Sequence, residues 1–110
     1  MVDADTAKQL IESGLTIWPE NPNLLIVRGW DEKRNKEYAR ALNNFLKALK
    51  YRPDDPVLHS MLAETYGGLG LTQNAEKHHQ LAKAAKAREQ ETQQAKTAAP
   101  VVVSGPAPGK

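Results

Sequence analysis

From residue 38 to residue 50, Ala41, Leu42, Phe45, Ala48 and Leu49 form an apolar set. Steps of three and four place them on one side of an α-helix, and Pro53 follows shortly after its end. In DDPVLHSMLAETYGGLG the positions Val57, Leu58, Met61, Leu62, Thr65, Tyr66 and Leu69 repeat the pattern. There Asp54 or Asp55 is placed to cap the start, Pro56 suits the first turn and Gly70 closes the helix. No stretch alternates with the period of two that a half-buried strand requires. The pattern predicts helices over residues 3–17, 22–34, 37–51, 56–69 and 72–97, joined by short turns.

The chain also repeats itself. At a shift of 34 residues, Ala7, Ala41 and Ala75 superpose, as do Gly14, Ala48 and Ala82, while Leu15 falls on Leu49, Leu24 on Leu58 and Gly29 on Ala63. Pro19 and Pro22 recur as Pro53 and Pro56, and Ile11, Phe45 and His79 share a column. A fixed period in this range marks an array of stacked units. The small residues set the packing: Gly29 or Ala63 on the first helix of a unit is expected to face Ala41 or Ala75 on the second. Tyr66, Phe45 and Leu62 fill the wider spaces beside each crossing.

A helical hairpin of this length, with Gly29/Ala63 in its first helix, Tyr66 after them, Ala41/Ala75 and Phe45 in its second, Ala48/Ala82 near the end and Pro53 closing, resembles the tetratricopeptide repeat. The resemblance covers about residues 3–90. It departs from the family where Leu25 and His59 replace a large aromatic, where Glu32 stands in the column of Tyr66, and where the column of Phe45 ends in His79. It implies an all-α fold, an α-α superhelix of about five antiparallel helices with a long C-terminal helix and a flexible tail. The domain reading is a half repeat at 3–19, repeats at 20–53 and 54–87, a helical extension or cap at 88–99 and a disordered tail at 100–110. In the tail Pro100 is expected to stop the helix, and Val101 to Val103 offer the alternative of a short docking strand. Residues 3–17 match only the second helix of a unit, leaving an apolar edge of Leu10, Ile11 and Leu15. The sequence therefore reads as a piece from the C-terminal end of a longer array, the alternative being a short protein whose first helix caps the stack.

Composition narrows the chemistry. Hydrophobic residues make up 40% and charged residues 25%, and 15 basic residues are scattered against 13 acidic ones, so no concentrated positive stripe points to nucleic acid. There is no cysteine, hence no disulfide, thiol or sulfur-ligated metal site. No apolar run approaches the roughly 18 residues of a membrane span, and the start lacks the layout of a secretory signal. His78 and His79 are adjacent and point about 100° apart, whereas helical metal ligands need a spacing of three or four. With His59 one unit away they are expected to be structural, His79 filling an aromatic slot and His78 solvated. Ser13, Ser60 and Ser104 sit in no nucleophile motif. No catalytic residue, metal or cofactor is assigned.

What remains is a surface. The resemblance implies a concave face lined by the first helix of each unit, here Asn23, Ile26, Trp30, Lys33 and Arg34, then Val57, Ser60, Glu64 and Gly67. Trp30, flanked by Lys33 and Arg34, has the makeup of an interface hot spot for an acidic or aromatic ligand, or else packs on a preceding unit or on Ile26. Trp18 is expected in the core. A clamp for the carboxylate tails of chaperones, known in this family, is disfavoured because Ser60 and Glu64 stand where it needs basic and amide side chains. The expected function is a non-catalytic module that binds a protein or peptide partner. The alternatives are the C-terminal appendage of a larger bacterial enzyme, such as a membrane-associated zinc metallopeptidase, and self-association through the open edge of the first helix.

Overall fold

The computed structural model describes residues 4–103. Five helices follow in order: α1 (Ala4–Ile17), α2 (Pro22–Arg34), α3 (Tyr38–Leu49), α4 (Pro56–Gly68) and α5 (Thr72–Val103), with no strand among the described residues. Short turns reverse the chain between successive helices. Packing is densest within the pairs α2 with α3 and α4 with α5, while α1 rests on α2, α3 on α4, and α2 also touches α4. This is the packing of an all-helical bundle or superhelix.

The recurrence seen in the sequence reappears in the backbone. Asn21 caps α2, its side chain accepting from Leu24 N, and Asp55 caps α4, accepting from Leu58 N; Pro22 and Pro56 each follow in the first turn. At the other ends, Glu37 N donates to Glu32 O at 2.8 Å and Leu71 N to Tyr66 O at 2.9 Å. These satisfy carbonyls that a helix terminus leaves free. Both turns need a left-handed residue, supplied once by Gly70 at φ 79° and once by Lys36 at φ 63°. Gly70 thus closes α4 as expected, and Lys36 holds the same conformation against the crowding of its own Cβ.

The core lies where α2, α3 and α4 meet. Leu25, Ile26, Ala41, Phe45, Ala48, Leu58 and Leu62 form one buried cluster, with Leu15, Leu42, Leu49, Met61 and Tyr66 packed against it. Ala63 and Ala82 are also buried, whereas Ala75 is half-buried. Gly29 permits a close approach, and the nearest side chain is Phe45: a Cβ built there lies 2.6 Å from its Cε1. The missing methyl makes room for the Phe45 ring.

Three expectations are corrected. Trp18 is 58% exposed rather than core, because it lies beyond the end of α1 in the turn that leads to α2. The exposed apolar residues at this end are Leu10, Ile17 and Trp18; Ile11 and Leu15 are half-buried, Leu15 against the core cluster. Finally, α5 runs through Pro100 to Val103. Proline removes one helical hydrogen bond, and the alanines before it favour continuation. Val101 to Val103 are therefore helical and not a strand. The rest of the expected tail lies outside the described residues.

Candidate binding groove

Two concave surfaces divide the residues that the sequence assigned to one groove. The first, about 460 Å³, lies between α1 and α2 and extends to Arg40 and Met61. Ala7, Lys8 and Ile11 form one wall, and Val27, Trp30, Asp31 and Arg34 the other, with Lys33 at the end. Spacings of three and four along α2 put Val27, Trp30, Asp31 and Arg34 on one face. Trp30 is 42% exposed there and Val27 39%. The second, about 630 Å³, lies between α4 and α5 and takes Val57 and Ser60 together with His79 and Lys83.

The remaining expected groove residues do other work. Ile26 is 8% exposed and belongs to the core cluster where α2, α3 and α4 meet. Asn23 accepts a hydrogen bond from Arg52 at the inter-unit turn, away from both cavities. Glu64 is exposed and ion-paired with Lys33 at 2.8 Å, tying α4 to α2. Gly67 is exposed, with nothing within 4 Å of its Cβ position. Arg34 leans on Asp31 at 3.3 Å. The two cations expected to flank Trp30 as ligand donors thus have partners within the protein, although Arg34 remains largely exposed.

Behind the groove runs a polar chain that the sequence reading missed. Arg28 Nη1 meets Glu12 Oε1 at 2.5 Å and its Nε meets Glu32 Oε2 at 3.4 Å, while Asn44 Nδ2 donates to Glu32 Oε1 at 2.6 Å. Glu32 and Asn44 are buried. Burial alone would lower the Arg28 pKa, but Glu12 and Glu32 hold the guanidinium above its ordinary value. The chain fixes α1 to α2 and α2 to α3, and so sets the width of the groove.

The equivalent positions one unit later carry a different polar set. His59, Tyr66 and His78 occupy the columns of Leu25, Glu32 and Asn44, and their rings stack, His78 lying 5.2 Å from His59 and 5.4 Å from Tyr66. His59 Nε2 faces the Pro53 carbonyl at 2.7 Å and so carries the proton. In the neutral pair His59 Nδ1 then accepts from His78 Nδ1–H at 3.0 Å. Burial, then the charges of His59 and Lys77, push the His78 pKa down. The expected roles of the two adjacent histidines are reversed: His78 is buried and His79 exposed. Phe45 is enclosed because α4 follows α3, whereas no described helix packs on the far side of α5 to enclose His79. The column of Glu32 and Tyr66 was visible in the sequence as a departure; its partner column of Asn44 and His78 was the signal left unread.

Among the described residues, no group of three or more His, Cys, Asp or Glu side chains is placed to hold a metal ion. No helix among the described residues is long and apolar enough to cross a membrane. No protein-family model, no curated protein and no solved structure matches this chain.

Proposed function

We propose that the chain is a non-catalytic protein-interaction module of the tetratricopeptide type, seating a segment of a partner protein in the groove between α1 and α2. The observation that carries this reading is Trp30, an indole 42% exposed on a wall of a concave site, beside Val27 and opposite Ile11. Large aromatic side chains that remain accessible in a walled depression are the usual anchors of protein interfaces. The tetratricopeptide reading is supported by the repeated caps and turns and by the small residues at fixed offsets. It gives the groove a rigid frame, since α2 is held on both sides.

The test is a comparison of wild type with Trp30→Ala. Partners captured by the wild-type chain are purified and titrated against both proteins. The reading expects at least one whose affinity falls by about thirtyfold, the scale of a hot-spot residue, with unchanged helical circular dichroism. Equal affinities for every partner would contradict it.

A further inference from the structure

Resting on that groove reading, we infer that the occupant is an amphipathic α-helix, with a small residue near its middle and a lysine or arginine one turn later. The repeat supplies the argument. One period of 34 carries Ala7, Ile11, Val27 and Arg28 of the groove onto Ala41, Phe45, Met61 and Leu62. Those four belong to the buried cluster or pack against it, and the cluster also includes Leu25 and Ile26 of α2. In the second unit, then, the corner between a second helix (α3) and the next first helix (α4) is filled by a helix. The α1–α2 corner repeats those walls, tied by Arg28 to Glu12, and is open to solvent at Val27 and Trp30. A surface that is the periodic image of a helix-lined seam fits a helix better than an extended strand, whose two-residue alternation matches neither wall.

The chemistry of the occupant follows column by column. Gly29 of α2 makes room for Phe45, and Ile11 stands in the place of Phe45 in the groove, so glycine or alanine is required opposite it. Lys33 of α2, four residues after Gly29, reaches Glu64. Trp30 stands in the place of Glu64, with Asp31 beside it. A cation delivered to that point meets the partly exposed indole, the Asp31 carboxylate being shared with Arg34. The pattern is therefore small residue, then cation four positions on; Lys33 and Arg34, which suggested an acidic ligand, already face Glu64 and Asp31.

The probe is a labelled peptide of residues 20–36, the sequence of α2 itself, lactam-stapled between positions 23 and 27 on the side that faces away from the groove. It is titrated against the full chain by fluorescence anisotropy. Saturable binding is expected, weakened about tenfold by Gly29→Pro in the peptide and roughly threefold by Lys33→Glu in the peptide. Trp30→Ala in the full chain should weaken it about tenfold. If the proline peptide binds equally well, the occupant is extended; the helix inference falls while the groove reading stands. Binding that ignores Trp30→Ala in the chain would place the peptide elsewhere and overturn the inference. No saturation up to about 1 mM would overturn it as well, with the groove reading then judged on the purified partners alone. Sedimentation of the chain by itself closes the remaining route: a dimer abolished by Trp30→Ala would make a second copy the occupant and refute the inference.

Discussion

Replacing Gly29 by alanine perturbs one atom in a known place. The new Cβ would lie 2.6, 2.8 and 2.9 Å from Cε1, Cζ and Cδ1 of Phe45, where 3.4–4 Å is ordinary contact. The ring would have to retreat by about 0.8–1 Å, and it is 0% exposed within a cluster that includes Leu25, Leu58 and Leu62. Overpacking of this kind costs about 1–3 kcal/mol, against which alanine in a helix returns about 1 kcal/mol relative to glycine. Gly67 provides the reference, because it lies in α4 and its Cβ position has nothing within 4 Å, so Gly67→Ala should stabilise by about 0.5–1 kcal/mol. The gap between the two variants is then about 1–3 kcal/mol, or at least about 4 °C in melting temperature. Thermal and urea denaturation followed by circular dichroism measure it. Phe45→Leu in the Gly29→Ala background should recover part of the loss, since the two changes share one contact. Equal shifts for Gly29→Ala and Gly67→Ala, or strict additivity with Phe45→Leu, would refute the claim that glycine is there to admit the Phe45 ring.

Other consequences are open to the same measurements. Lys36→Gly should stabilise by about 1 kcal/mol, because Lys36 holds a left-handed φ of 63° that costs a side-chain-bearing residue more than glycine; an unchanged urea midpoint would contradict this. Glu32→Ala removes the acceptor of the buried Asn44 amide and should destabilise by about 1–3 kcal/mol, which the added change Asn44→Ala should partly relieve. The His78 pKa is depressed in the folded protein, so between pH 7 and 5 the unfolded chain binds more protons at this residue, and stability should fall as pH drops below about 6.5. His78→Asn, which installs the residue found in the same column at Asn44, should flatten that dependence; identical slopes for variant and wild type would show that His78 is not the titrating group.

The parts of the fold that could be read from the sequence are those set by local rules. Proline at Pro22 and Pro56, the carboxylate of Asp55 and the left-handed Gly70 punctuate the helices through short-range bonding, and they mark the chain directly. The period was legible because small residues at Ala41, Ala48 and Ala63 are forced by contact. What could not be read depended on which face of each helix is covered by a neighbour. Ile26 reads in the sequence as an open-face residue but belongs to the buried cluster; His79 reads as filling a closed slot, but no described helix packs beyond α5 to cover it. Trp18 looked buried because it is large and apolar, and its column holds Arg52 one unit later. Of the candidate site, Trp30 was identified and its surroundings were not: the ion pairs that occupy Lys33 and Arg34 come from Glu64 and Asp31 and form only when the helices are placed.

The claim that the α1–α2 groove repeats a helix-filled seam can be tested within a single chain. Residues 20–37, carrying phenylalanine in place of the copied tryptophan, are joined directly to residues 4–110, which places the added helix one period before α2. With Trp18→Phe in the body of the chain, Trp30 is the sole tryptophan, and its quenching by acrylamide is compared with and without the extension. The account predicts a marked loss of quenching together with a melting temperature raised by at least about 4 °C; an indole that stays as accessible as before, in a protein no more stable, would contradict it.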